Sequence, residues 1–106
     1  MKKLKMAMLN AYYGGLLNSH QSEIMRLYYD CDLSLGEIAQ QMNITRQGVR
    51  EVIVRSENKL AEYENKLGLV DKVTKLIADL QSVINEVKDD TIKAELEKIL
   101  IKIKEL

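Results

Sequence analysis

The sequence of 106 residues has no Pro, no Trp and no Phe, and it has only five Gly, one Cys and one His. Because Cys31 is the only cysteine, an intrachain disulfide is excluded. One Cys with one His also cannot supply a zinc site of recognised ligand spacing. With 46% hydrophobic and 30% charged residues, this composition favours helices over sheets or disorder. We therefore expect an all-α fold.

Neither sign of charge is in excess. The sequence has 16 basic and 16 acidic residues, and residues 1–66 contain nine basic and eight acidic residues. Specific DNA-binding domains usually carry a clear basic patch. Any binding to DNA is therefore expected to be weak and sensitive to salt.

Residue patterns that support catalysis are also lacking. The sequence has no glycine loop that could cradle a phosphate, no nucleophile–base pair and no paired carboxylates in an evident pocket. We expect a protein that is not an enzyme and that uses no cofactor and no metal.

The first 17 residues combine positive charge with apolar residues, as secretory signals do. Asn10 interrupts the apolar run, however, and the apolar residues follow helical spacing. The residues that mark this face are Leu4, Met8, Tyr12 and Leu16. We therefore predict a core helix from about Lys2 to Leu17, no membrane span and a cytoplasmic location.

Residues 35–60 have the features of a helix-turn-helix. Ser34 is suited to N-cap the first helix with Glu37 as its capping-box partner. Ile38, Ala39 and Met42 form one apolar face of that helix, which is predicted from Leu35 to Met42. Asn43 stands at the turn, where a left-handed residue is usually needed.

The second helix of this motif is predicted to be long, from a cap at Thr45 to about Lys66. Its inward positions recur at helical spacing and are Val49, Val52, Ile53, Ser56, Leu60, Tyr63 and Leu67. Its outward positions are Gln47, Arg50, Glu51, Val54, Arg55 and Asn58, with Arg46 at the edge. Arginines one turn apart suit guanine or phosphate, and Gln47 suits adenine.

The same hypothesis assigns two hydroxyl residues to the phosphate backbone. Ser34 and Thr45 would position the N-termini of the two helices near phosphates. The predicted DNA-binding residues are thus Ser34, Thr45, Arg46, Gln47, Arg50, Glu51 and Arg55. A protein-docking role for the same three-helix core is the alternative.

Before the motif, Asn18 is predicted to cap a helix over Ser19–Tyr29, with Gln21 completing a capping box. After it, Gly68 is predicted to end the long helix in a left-handed conformation. We therefore place a domain at residues 1–67 and a helical tail at 68–106.

The tail has a heptad pattern. The predicted seam is Leu69, Val73, Leu76, Leu80, Val83 and Val87, widened by Val70, Ile77 and Ile84. Asp90 or Thr91 is predicted to cap a further helix, whose stripe is Ile92, Leu96, Ile99, Ile103 and Leu106. Such stripes need a partner: each other in a hairpin, the first domain, a second chain in a homodimer, or another protein.

The blocks LYYDCDLSLGEIA and ITRQGVREVIVRSE resemble region 4 of bacterial sigma factors. More closely, the chain resembles the YlxM family of helix-turn-helix proteins from Gram-positive bacteria. The resemblance covers nearly all of residues 1–67, and the tail is similar only in being helical and charged. It implies that Arg46, Gln47, Arg50 and Glu51 match the base-reading positions of sigma region 4. Gly48 and Val54 depart from the sigma pattern.

Two functional hypotheses result. The first is a DNA-binding regulatory protein. The second, implied by the YlxM resemblance, is an accessory protein that contacts the GTPase or the RNA of the signal recognition particle, because genes of that family typically lie beside the GTPase gene.

Overall fold

A computed structural model describes residues 2–106, which form six α-helices, one short 3-10 helix and no strand. The helices are α1 (Lys2–Tyr13), α2 (Ser19–Tyr29), α3 (Leu35–Met42), α4 (Arg46–Leu67), α5 (Leu69–Glu86) and α6 (Asp90–Lys104), with the 3-10 helix at Gly14–Leu16. The all-α prediction is confirmed. The chain packs as two units, the first ending at Leu67 and the second covering Gly68–Leu106.

In the first unit, α4 packs against α1, α2 and α3. The core residues are Leu9, Tyr13, Leu17, Ile24, Met25, Leu27, Ile38, Ala39, Val49, Ile53 and Leu60. A long-range hydrogen bond accompanies this packing: the hydroxyl of Tyr13 donates to Glu64 Oε1 at 2.6 Å. The ring of Tyr13 also contacts Tyr63, with centroids 6.1 Å apart. These contacts join α1 to the C-terminal half of α4.

The predicted N-caps of α2, α3 and α4 are confirmed. Gln21 N donates to Asn18 Oδ1 at 2.8 Å, and Glu37 N donates to Ser34 Oγ at 3.1 Å. Both capping boxes are closed by the reciprocal side chain. Thr45 Oγ1 accepts a hydrogen bond of 2.9 Å from Gly48 N at the start of α4. Each cap satisfies backbone donors that the helix itself leaves unpaired.

Asn43 has φ 57° and ψ 46°, the left-handed conformation predicted for the turn between α3 and α4. This conformation costs most L-residues about 1–2 kcal/mol, and asparagine tolerates it better. Replacing Asn43 with Val should lower the free energy of unfolding by about 1–2 kcal/mol, whereas Asn43→Gly should leave it unchanged or raised. Urea unfolding followed by circular dichroism measures both variants. Equal destabilisation by Val and Gly would contradict this account.

Helix α1 differs from its prediction. Leu4 and Leu16, which were expected on the buried face, are exposed, and Met8 and Tyr12 are only half-buried. The helix ends at Tyr13 instead of continuing to Leu17, because the chain tightens into the 3-10 helix. The buried stripe is instead Leu9, Tyr13 and Leu17.

Most inward positions of α4 are placed as predicted. Val49, Ile53, Ser56 and Leu60 are buried, and Val52 and Tyr63 are half-buried. The prediction is wrong for Leu67, which is exposed. Leu67 is the last residue of the helix, about one turn beyond the two residues that contact Tyr13.

In the second unit, α5 and α6 pack against each other as an antiparallel hairpin joined by residues 87–89. The intramolecular alternative for these two stripes is therefore the one found. The cap of α6 was misassigned by one or two positions: it is Asp89, whose Oδ1 accepts hydrogen bonds from Thr91 N at 2.8 Å and Ile92 N at 3.1 Å.

The buried stripes of the hairpin differ from the predicted seam. On α5, Val70, Val73 and Ile84 are buried and Ile77, Leu80 and Val87 are half-buried, whereas Leu69, Leu76 and Val83 are exposed. On α6, Leu100 is buried and Leu96 and Ile103 are half-buried, whereas Ile92, Ile99 and Leu106 are exposed. Part of each predicted stripe thus lies one residue, or roughly 100° around the helix, away from the stripe that is buried.

Candidate nucleic-acid interface

The predicted DNA-binding residues lie at the start of α3 and along the N-terminal half of α4. Ser34, Thr45, Arg46, Gln47, Arg50, Glu51 and Arg55 are all exposed. We call the exposed side of α4 formed by Arg46, Gln47, Arg50, Glu51 and Val54 the α4 outer face. The α4 outer face remains exposed because the opposite side of α4 packs in the core of the first unit.

Arg46 is the residue whose position the sequence pattern did not reveal. A Cβ atom on Gly36 would lie 3.8 Å from Arg46 Nε and 3.9 Å from Arg46 Cδ. The Arg46 side chain therefore lies beside Gly36, in the first turn of α3. Only the absence of a side chain at Gly36, in the first turn of α3, could have indicated this approach.

A shallow groove results from that contact. Its lining residues are Ser34, Gly36, Glu37, Ala39, Gln40, Asn43, Ile44 and Arg46. It therefore brings Ser34 and Arg46, from the two halves of the motif, to one surface. Gln47, Arg50, Glu51 and Arg55 do not line the groove and lie farther along α4.

The cations of α4 up to Lys59 are not neutralised by neighbouring acids, whereas Lys66, near the end of the helix, pairs with Glu62. In the part of the chain that the structure describes, the ion pairs involve other residues, and Arg46, Arg50, Arg55 and Lys59 form none. Arg46 and Arg50 are one helical turn apart, so that their Cα atoms differ by about 6 Å along the helix axis. Two unpaired guanidinium groups at this spacing can bind adjacent phosphates or base edges.

Acidic groups limit this positive surface. Glu37 is exposed at the first turn of α3, where its carboxylate accepts a 2.9 Å hydrogen bond from Ser34 N. The hydrogen bonds from the backbone and side chain of Ser34 lower the pKa of Glu37. Glu37 therefore carries a negative charge on the same groove as Arg46, and Glu51 adds another on the α4 outer face.

The departure at Gly48 has a local reason. A Cβ atom there would lie 3.1 Å from Thr45 Oγ1, the same oxygen that accepts the hydrogen bond from Gly48 N. This distance is tighter than an ordinary van der Waals contact. A larger residue would therefore press on the cap of α4.

A second groove of the first unit lies between α1, α2 and α4. Its lining residues are Lys5, Met6, Leu9, Tyr28, Tyr29, Glu57, Asn58 and Ala61. In it the hydroxyl of Tyr29 donates a hydrogen bond to Glu57 Oε2. The rings of Tyr28 and Tyr29 meet edge to face, with centroids 4.9 Å apart. Glu57 is thereby engaged with α2 and is not part of the exposed charge of α4.

Tyr29 makes the first unit sensitive to alkali. Burial, and then the hydrogen bond to Glu57, raise the pKa of Tyr29 above its ordinary value. The folded state thus holds the phenol proton more tightly than the unfolded state does. This contribution to stability is complete below about pH 10, the pKa of an unperturbed tyrosine, and is lost as the pH rises above it.

We therefore expect the thermal midpoint of the wild-type chain to fall more steeply between about pH 10 and about pH 12 than that of Tyr29→Phe. Thermal melts of both proteins across this range, followed by circular dichroism, measure the difference. Parallel falls in the two proteins would show that Tyr29 does not contribute.

Among residues 2–106, no three His, Cys, Asp or Glu side chains are grouped as ligands for a metal ion. None of the helices over these residues is both long enough and apolar enough to cross a membrane.

Comparison with known proteins decides the family. The family model described as "Putative helix-turn-helix protein, YlxM / p13 like" matches residues 1–103. The chain belongs to this family. The predicted membership is confirmed, but the match also covers most of the hairpin, which residues alone had placed outside the resemblance. The YlxM/p13-like character therefore belongs to both units.

Individual relatives agree with this extent. A UPF0122 protein of Desulforamulus reducens is 51% identical over 81 residues, which cover 76% of this chain and 69% of the relative. A UPF0122 protein of Thermoanaerobacter sp. is 37% identical over 110 residues, which cover 97% and 94%. One of Bacillus thuringiensis is 38% identical over 108 residues, covering 99% and 96%.

Proposed function

We propose that this YlxM/p13-like protein is a non-enzymatic, cytoplasmic DNA-binding regulatory protein that contacts duplex DNA through the α4 outer face. The observation that carries the proposal is the pair Arg46 and Arg50, unpaired and one turn apart at the N-terminal end of α4. In a helix-turn-helix, this end of the second helix enters the major groove.

The two caps support a phosphate contact. Thr45 Oγ1 accepts a hydrogen bond from Gly48 N, so its hydroxyl hydrogen remains able to donate. The side chain of Ser34 is bonded to Glu37, so Ser34 would act by positioning the start of α3. Both stand at helix N-termini, where the helix dipole favours an anion. Arg46 lies against the start of α3, so one phosphate could be reached by Arg46 and by the N-terminus of α3 together.

The base-reading roles fall to the middle of the face. Arg50 suits the O6 and N7 atoms of guanine, Gln47 suits adenine and Glu51 accepts from cytosine N4. Arg55, farther along α4, would contact the backbone. Because cations would neutralise phosphates and release counterions, the affinity should depend on salt. Because the acids Glu37 and Glu51 lie among these cations, it should be low at physiological ionic strength.

The test is fluorescence anisotropy of a labelled random duplex titrated with the full chain at about 50 mM and about 200 mM salt. Binding that weakens steeply between these concentrations is expected. Absence of binding at the lower concentration would overturn the proposal and leave the three-helix core as a protein-docking surface.

Arg50→Ala should weaken binding by about 1–3 kcal/mol and relax the preference for one base. Lys66→Ala provides a matched control, since Lys66 is an exposed cation of the same helix about 24 Å away along the axis and is paired with Glu62. The control should bind as the wild type does. If Arg50→Ala also does so, alone and combined with Arg46→Ala, the α4 outer face is not the contact.

A specific observation favours a second candidate. Val54 is exposed in the middle of the α4 outer face, where an apolar side chain suits a protein surface better than phosphates. We therefore also propose an accessory role that contacts the GTPase or the RNA of the signal recognition particle, as the family resemblance implies. A pull-down and a GTPase assay test this role. The absence of association together with an unchanged GTPase rate would overturn it.

A further inference from the structure

Two rows of aliphatic side chains remain exposed on the hairpin of α5 and α6. One row is Leu69, Leu76 and Val83, and the other is Ile92, Ile99 and Leu106. Their exposed fractions range from 44% to 76%. Within each row the spacing is seven residues, so each row runs along one side of its helix.

The geometry of the hairpin puts both rows on the same side. Each row lies next to the buried stripe of its helix and is displaced from it in the same rotational sense, because Leu76 precedes Ile77 as Ile99 precedes Leu100. Antiparallel paired helices are related by a two-fold axis perpendicular to their plane. Such an axis leaves equivalent positions on one side of that plane.

The two rows are also in register. The two members of each pair are about equally far along the chain from the connection at residues 87–89, so they lie at the same level of the hairpin. The pairs are Leu69 with Leu106, Leu76 with Ile99, and Val83 with Ile92. Together they form a continuous apolar surface, which we call the hairpin face. With six side chains about half exposed, it has on the order of 600 Å² of apolar area, the upper end for the largest patch of a monomer.

Charged residues flank the hairpin face in an ordered way. Lys72 and Lys102 are at one level, in the half that contains Leu69 and Leu106. Asp79 and Glu95 are at another level, in the half nearest the connection. All four are exposed. Glu95 forms an exposed ion pair with Lys98 at 3.3 Å, of a kind that contributes little to stability.

We propose that the hairpin face binds the same face of a second copy of this chain, with the two hairpins antiparallel. A two-fold axis in the interface at the level of Leu76 and Ile99 brings Lys72 of one copy to Asp79 of the other. The same axis brings Lys102 to Glu95. The surface is thus complementary to itself in charge, as an isologous dimer requires.

The area and the packing also suit a second copy. Two hairpin faces together supply roughly 1,200 Å², where specific interfaces begin. The product is a four-helix bundle in which Ile99 meets its own copy across the axis, while Leu69 meets Val83. A parallel arrangement would instead stack α6 of one copy on α5 of the other, and would place Lys102 beside Lys72 and Glu95 beside Asp79.

The test is sedimentation equilibrium of the full chain, with wild type expected to form a dimer. Ile99→Glu should raise the dimer dissociation constant about 100-fold or more, since two acids would meet across the axis. Ile101→Glu is the matched control, because Ile101 is 55% exposed on the same helix and lies off the hairpin face. It should leave the constant unchanged, and both variants should keep the helical circular-dichroism spectrum.

Charge reversal tests the arrangement. Lys102→Glu should weaken the dimer, and adding Glu95→Lys in the same chain should restore it, because residue 102 of one copy meets residue 95 of the other. A monomeric wild type would overturn the proposal. Equal loss of the dimer in Ile101→Glu would also overturn it, as would failure of the double reversal to restore the dimer.

Discussion

Leu60→Ala is expected to lower the free energy of unfolding of the first unit by about 2–5 kcal/mol, the range for deleting a buried leucine side chain. Leu60 is fully buried in α4, the helix against which α1, α2 and α3 pack. The substitution removes apolar contacts and leaves a cavity that close packing around it can only partly close. Urea unfolding followed by circular dichroism measures the loss.

Leu67→Ala is the matched control for this substitution. It makes the same chemical change in the same helix, at a leucine that is exposed. Its effect should stay within about 0.5 kcal/mol, as for other surface substitutions. A loss at residue 67 as large as that at residue 60 would contradict the placement of Leu67 outside the core.

Leu100→Ala is expected to destabilise the hairpin by a similar amount. Leu100 is the buried residue of α6, on the stripe that faces α5. Hydrogen exchange measured by mass spectrometry on peptides from residues 68–106 reports the opening of this unit by itself. Exchange should become faster by roughly 30-fold or more, which corresponds to the lower bound of about 2 kcal/mol.

The adjacent Ile101 supplies the control for Leu100. Because Ile101 is 55% exposed, Ile101→Ala should change exchange in the hairpin by less than about threefold, equivalent to about 0.5 kcal/mol. The predicted seam of α6 left out Leu100, so this comparison tests the corrected stripe directly. Faster exchange in Ile101→Ala than in Leu100→Ala would reverse that correction.

Local chemistry determined the starts of α2, α3 and α4 and the turn between α3 and α4. The caps at Asn18, Ser34 and Thr45, and the left-handed turn at Asn43, are all found where they were predicted. These features depend on side chains that bond to a backbone group two or three residues away or on a single residue's conformation. Such interactions are complete within one turn of chain, so a short stretch of sequence contains all the information about them.

The exposed face of α4 was also predictable. Gln47, Arg50, Glu51, Val54 and Arg55 are exposed as expected, because four polar or charged residues and one valine cannot compete with Val49 and Ile53 for the core. One side of this helix is clearly more apolar than the other. Periodicity alone therefore assigned its orientation.

The tertiary structure decided the cases in which two neighbouring stripes were nearly equally apolar. On α5, the stripes through Leu76 and through Ile77 are both aliphatic, and packing against α6 buried the second. On α1, the 3-10 helix and the contacts of Tyr13 favoured Leu9 over Leu4. When two stripes about 100° apart are similarly aliphatic, burying either one gains a similar transfer free energy. Which of the two is buried therefore depends on the partner helix that each one contacts.

The three-dimensional fold alone also placed Arg46 against Gly36, Tyr29 on Glu57 and Tyr13 on Glu64. The last two contacts join residues 28 and 51 positions apart in sequence, beyond the reach of any helical period. The sequence by itself thus determined the helices, the caps of α2, α3 and α4, and the family. The choice of buried stripe, and with it the exposed hairpin face, depended on how the helices pack, because burial is a property of pairs of surfaces and not of one chain segment.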